Sequence, residues 1–140
     1  MKKGIISAIL VICAVFCLAG CGNKPSTLVC TQKVSTVEVE LTANFVGNNV
    51  KAMSMKYEMD FSNYSDTLVN TLASKDYCST VKSAMGSQFT LTDCKQNLEG
   101  KKLIISSGID ITTFSKSDLS GSPAATKSAL EQQGYTCTLK

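Results

Sequence analysis

The run Val37-Glu38-Val39-Glu40-Leu41-Thr42-Ala43-Asn44-Phe45, followed after Gly47-Asn48-Asn49 by Met53-Ser54-Met55-Lys56-Tyr57-Glu58-Met59-Asp60-Phe61, decides the fold. In both halves apolar side chains take the odd positions and mostly polar ones the even, the period of a strand with one face buried. A glycine and two asparagines between the runs are a turn signal, so the two form a hairpin. Both apolar sets are odd-numbered and paired residues must share a face, which requires an odd number of loop residues. A three-residue loop, Gly47 to Asn49, meets that condition and puts Asn49 in the left-handed conformation. Leu41 then faces Met55, Val39 faces Tyr57, Glu40 faces Lys56 and Glu38 faces Glu58.

Working outward, the same logic reads a second hairpin: Phe89 to Asn97, a loop Leu98-Glu99-Gly100, then Lys101 to Thr112. Gly100 takes the left-handed position, Phe89 faces Ile109, Leu91 faces Ser107 and Cys94 faces Ile104. Between the hairpins, Asn63 and Asp66 mark a helix start, and Leu68, Val69, Leu72, Ala73, Tyr77, Val81 and Met85 recur at near-helical spacing. The apolar phase drifts at Ser74-Lys75-Asp76, which allows a break into two short helices. Ser122 as N-cap, Pro123 at the first helical position and Gly134 as terminator frame another helix. Strands Leu28 to Gln32 and Tyr135 to Leu139 open and close the domain. The fold class is α+β: a mostly antiparallel sheet of two hairpins plus terminal strands, order β-ββ-α-ββ-α-β, with helices packed on one face. Asp60-Phe61-Ser62 after the first hairpin is echoed by Thr113-Phe114-Ser115 after the second, a hint of duplication.

Ahead of the domain, Lys2 and Lys3 precede an uncharged run from Gly4 to Gly20, a basic n-region followed by an apolar h-region. The run is shorter than the about 20 apolar residues of a membrane-spanning helix and closes on small residues. Leu18-Ala19-Gly20-Cys21 looks like the lipobox of bacterial lipoproteins, which implies diacylglycerol on the Cys21 thiol and cleavage before it. The expected organisation is a removed signal peptide over 1–20, a lipidated tether over 21–27 and one disulfide-stapled domain over 28–140. Two or three acyl chains hold a protein firmly where one is marginal. The mature chain is thus expected on the extracytoplasmic side of a membrane, the outer face of the cytoplasmic membrane in a Gram-positive host.

The formal charge of +3 belongs to the whole chain; without Lys2 and Lys3, twelve lysines stand against eleven acids. There is no arginine, so bidentate recognition of phosphate or guanine has no residue to perform it, and nucleic acid is not an expected partner. There is no histidine either, which removes Ser-His-Asp, Cys-His and histidine-based metal schemes. Cys13 and Cys17 depart with the signal peptide and Cys21 carries lipid. That leaves Cys30, Cys78, Cys94 and Cys137, an even set in an exported domain, which reads as two disulfides. Of the three possible pairings, Cys78 with Cys94 and Cys30 with Cys137 is favoured. The first pair is nearest in sequence, and the second occupies similar settings in the two terminal strands.

Three groups of residues invite chemistry. Glu38, Glu58 and Asp60 on the outer face of the first hairpin suggest a weak cation site or an acid/base pair, but no oxygen-rich loop accompanies them, and a solvated face relieved by Lys56 is the simpler reading. Met53, Met55 and Met59 suggest an apolar groove or a copper site, though their alternation makes them core-facing first. Ser106-Ser107-Gly108 and Ser115-Lys116-Ser117 suggest a serine-lysine hydrolase, yet strand and capping roles explain them more simply.

Phe45-Val46-Gly47-Asn48-Asn49-Val50, continuing into Tyr57-Glu58-Met59-Asp60, and Gln133-Gly134-Tyr135-Thr136-Cys137-Thr138 resemble the YehR-like group of small bacterial lipoproteins. That resemblance implies fold and location and supplies no catalytic residue. The expected function is a membrane-anchored, non-enzymatic binding or envelope-associated module. It has no cofactor, and its partners are the membrane and a protein or small ligand. A small cell-envelope hydrolase and an accessory subunit of a membrane complex are the alternatives.

Overall fold

A computed structural model describes residues 24–85 and 89–140. The expected signal peptide, Cys21, Gly22 and Asn23 lie outside the described residues. Six strands form one antiparallel sheet: β1 (Pro25–Val34), β2 (Val37–Val46), β3 (Asn49–Asp60), β4 (Leu91–Glu99), β5 (Lys102–Ile109) and β6 (Thr136–Leu139), in the order β4-β5-β3-β2-β1-β6. Helices α1 (Asp66–Ala73) and α2 (Tyr77–Met85) follow β3, and α3 (Pro123–Gln132) precedes β6. β1 starts three residues earlier than Leu28, so Pro25 to Thr27, read as tether, are paired with β2.

The first hairpin has the expected register from Val37↔Met59 through Glu38↔Glu58, Val39↔Tyr57, Glu40↔Lys56 and Leu41↔Met55 to Asn44↔Ala52. Its loop differs. Val46 pairs with Asn49 across two residues, and Gly47, not Asn49, carries the positive φ of 62°. The parity requirement is met by a bulge that leaves Lys51 without an opposite number, so that odd Phe45 and even Val50 both point into the core.

The second hairpin is built the same way, and its expected register is wrong. The loop is Gly100-Lys101, with Gly100 at φ 63° as expected, but at the first loop position instead of the third. Leu98 therefore faces Leu103, and Asn97, not Cys94, faces Ile104. Further along, Asp93 and Cys94 together oppose Ser107 in a bulge, and beyond it Leu91, not Phe89, faces Ile109. β5 ends at Ile109, and Thr112 lies in a 3₁₀ turn, Ile111–Thr113. The true echo of Asp60-Phe61-Ser62 is Asp110-Ile111-Thr112: each aspartate, at a strand end, accepts hydrogen bonds from the amide and hydroxyl two residues on.

The break at Ser74-Lys75-Asp76 is present. The side chain of Gln96 on β4 holds it, accepting from the Tyr77 amide at 3.0 Å and donating to the carbonyls of Ala73 at 3.2 Å and Lys75 at 2.8 Å. The cap of α1 is Ser65 instead of Asn63, because its hydroxyl, not the Asn63 amide, reaches the Leu68 N–H. Ser122 caps α3 as expected, and Gly134 follows it at φ 91°.

The core collects Leu28, Cys30, Val39, Leu41, Phe45, Met53, Met55, Tyr57, Leu103 and Ile105 from the strands with Val69, Met85 and Leu130 from the helices. Cys30 is bonded to Cys137 directly across β1 and β6, with Cα atoms 4.1 Å apart. Cys78 is bonded to Cys94, tying α2 to the β4 bulge. This is the favoured one of the three pairings.

Candidate functional site

The even-numbered side chains of β2, and those of β3 from Ala52 onward, point to the face opposite the core. In β1 the odd positions do so, and in β5 again the even ones. Cross-strand pairing sets them in rows: Thr31, Glu40, Lys56, Ser106 and Lys95 form one row, and Val29, Thr42, Ser54, Gly108 and Thr92 the next. Between these rows lies an open groove of about 380 Å³, whose charged and hydroxyl lining comes from Glu40, Thr42, Ser54, Lys56, Asp93, Lys95 and Ser106. That volume is within the range of small-molecule sites.

Each wall has a local cause. Glu40 and Lys56 face each other across β2 and β3, with the ammonium 3.6 Å from the carboxylate. The β4 bulge puts Asp93 in the left-handed region at φ 51°, a conformation that aspartate adopts more readily than most residues but still at a cost. The buried Ser107 hydroxyl pins the bulge by donating to the Thr92 carbonyl at 2.9 Å. Gly108 keeps the floor open: a Cβ there would collide with the Thr92 hydroxyl oxygen. Two ammonium groups, two carboxylates and three hydroxyls on one small surface can hold a polar ligand carrying both signs of charge.

The candidates from the sequence divide as follows. Glu38 and Glu58 are opposite each other, but Lys102, not Lys56, relieves them, reaching Glu58 at 2.7 Å. Hydrogen bonds from the Ser62 hydroxyl and amide hold the Asp60 carboxyl below its usual range, and the hydrogen bond to Glu58 raises Lys102. Lys102 thus engages Glu58, and Ser62 engages Asp60. Among the described residues no cluster of acids or cysteines is placed to hold a metal ion. Met53 and Met55 are buried and Met59 packs against the core. The interior space beside Met53, under Thr126 and Leu130, is only about 10 Å³. Ser107 serves the bulge, and Ser115 bonds Asp118 in its own loop at 2.6 Å. Ser106 does stand between Lys56 and Lys95, but Lys56 is tied to Glu40 and open to solvent, whereas an activated lysine base is desolvated.

Asp93, Lys95 and Thr42 were not singled out from the sequence. The signal for the first two was present: an alternation that puts Leu91 inward also puts Asp93, Lys95 and Asn97 inward, and only a bulge resolves that conflict.

At the end of the sheet formed by the β1–β2 and β4–β5 turns, Val34, Tyr64 and Leu68 are 50%, 43% and 41% exposed. No described helix is long and apolar enough to cross a membrane.

No protein-family model matches the chain, and no curated protein does. A solved structure, the NMR structure of a protein from Streptococcus pneumoniae TIGR4, is similar over 86% of this chain and 90% of that one, with 11% identity and a TM-score of 0.48.

Proposed function

We propose that the protein is a lipid-anchored, extracytoplasmic binding module, attached through Cys21, that takes a polar partner or ligand on the open face of its sheet. The three helices cover the other face; Val69, Met85, Thr126 and Leu130 among the buried residues support that placement. The observation that carries the binding reading is the groove itself. It is a charged concavity on an otherwise regular strand surface, made by a bulge with a left-handed aspartate and kept open by Gly108. Outliers of that kind persist where the surrounding structure has a use for them. Anchoring is supported by the lipobox-like Leu18-Ala19-Gly20-Cys21 and by two disulfides, which persist outside the cytoplasm. The non-enzymatic reading is supported by Lys56, the lysine beside Ser106, being ion-paired to Glu40 and open to solvent.

An accessory role in a membrane complex is the second reading, favoured by Val34, Tyr64 and Leu68, which share one end of the sheet.

Photocrosslinking in living cells separates the two. Probes at Ser54 and Ser106 are expected to capture a partner that probes at Val34 and Leu68 do not, and Gly108→Val, which fills the groove, is expected to abolish the capture. Adducts confined to Val34 and Leu68 would transfer the site to that end. Cys21→Ser is expected to move the chain from the membrane fraction to the soluble one; retention in the membrane would refute the anchor.

A further inference from the structure

We infer that the end of the sheet from which the chain leads back to Cys21 is an electrostatic contact surface for anionic lipid, which holds the domain upright on the membrane. The inference rests on the lipid-anchor reading above, and its test keeps the two apart.

Four lysines gather at this end although they are far apart in sequence. Lys24 precedes the first residue of β1, and its carbonyl accepts from the Gly47 amide at the β2–β3 turn. Lys51 is the bulge residue just past that turn. Lys140 exchanges both backbone hydrogen bonds with Thr27, at 2.8 and 2.9 Å. Lys116 sits in the loop that bonds to the start of β3, where the Val50 amide donates to the Leu119 carbonyl. All four are exposed.

Their charges are uncommitted. The four ion pairs among the described residues use Lys56, Lys101, Lys102 and Lys127, none of them at this end. The acids nearby are Asp110 and Asp118, each already bonded by a hydroxyl and an amide, from Thr112 and Ser115. The opposite end has the reverse balance, Glu38, Glu58, Asp60, Asp66 and Glu99 against Lys33, Lys101 and Lys102. The described residues, with twelve lysines against eleven acids, are thus divided along the strand axis into a basic and an acidic pole.

Cys21 is four residues before Pro25, a span of at most about 14 Å. A lipid on Cys21 therefore brings the basic pole to within at most about two Debye lengths of the membrane surface, where lysines are drawn to anionic headgroups. The strands then stand away from the membrane, with the acidic pole and Val34, Tyr64 and Leu68 outermost.

The test uses the full lipidated chain, extracted from membranes and reconstituted into vesicles of phosphatidylcholine alone or mixed with an equal part of phosphatidylglycerol. Lysines are acylated with an amine-reactive reagent and read individually by mass spectrometry. Labelling of Lys24, Lys51, Lys116 and Lys140 is expected to fall about fivefold on the phosphatidylglycerol vesicles and to recover in about 1 M salt, with Lys33 and Lys101 unchanged. Introducing K51E and K116E together should restore labelling of Lys24 and Lys140. Equal labelling on both vesicle types, or protection of Lys33 and Lys101 instead, overturns the inference. The same digest weighs the Cys21 peptide. If it bears no diacylglycerol the anchor reading fails, and the contact surface is then judged by the same labelling with vesicles in excess.

Discussion

Tyr57 lies in the middle strand of the sheet between Val39 and Ile105, and burial, with Tyr135 beside it, pushes its phenol up to about 12. The folded state thus keeps this group neutral where the unfolded chain, titrating near 10, ionises it. The stabilisation is complete below pH 10 and is lost as pH rises from 10 towards 12, by about 3 kcal/mol when fully developed. Urea unfolding followed across this range should show stability falling from pH 10 upward, with a distinctly shallower fall in Tyr57→Phe. Four aspartates have the opposite sign: hydroxyls of Ser62, Ser79, Thr112 and Ser115 hold the carboxyls of Asp60, Asp76, Asp110 and Asp118 low. Their contribution is present at neutral pH and lost only as acid reaches the bottom of the carboxylate range. All four are at the surface, where hydrogen bonds of this kind fasten turns more than they stabilise the whole.

Gln96 sets the geometry between elements, because one side chain satisfies three backbone groups at the junction of α1 and α2. Gln96→Ala removes all three bonds, leaves the Ala73 carbonyl without its Gln96 donor and the Tyr77 amide with only the Lys75 carbonyl at 3.1 Å, and is expected to destabilise by about 1 to 2 kcal/mol. Hydrogen exchange should quicken in residues 66–85 while β1 and β2 stay protected. Nothing in the sequence marks this role, since a glutamine in a strand reads as solvent-facing until the bulge turns it inward. The strands and the first register were legible because alternation is a local signal repeated many times. The bulges were not, because each is one residue that reverses a parity otherwise read as continuous. In the first hairpin a two-residue loop plus a bulge equals a three-residue loop, so the misreading stays at the tip. In the second, Gly100 stands first in its loop instead of last, and every partner moves. Of the groove, the Glu40–Lys56 pair and the run Ser106-Ser107-Gly108 were visible beforehand. Asp93, Lys95 and Ser106 meet only once the bulge has reversed that parity.

On the scale of the molecule, Cys30 and Cys137 are separated by 107 positions and Cys78 and Cys94 by 16. Constraint of the unfolded chain grows with the loop that is closed, so removing the first bridge should cost about 4 to 5 kcal/mol and removing the second about 3. Paired alanine variants compared by urea unfolding should keep that order. The long bridge joins Cys30, in β1, to Cys137 in a strand made 107 positions later, and this has a temporal consequence. Until β6 has been made, β1 offers an unpaired outer edge and a free Cys30 thiol, while Cys78 and Cys94 are already present. The chain emerges in an order that supplies two wrong partners before the right one. In that interval the β1–β2 pairing satisfies one edge of β1 and leaves its β6 edge open. Oxidation of Cys30 with Cys137 therefore marks a chain whose β6 is already seated, and the bond works as a record that this edge of the sheet has closed.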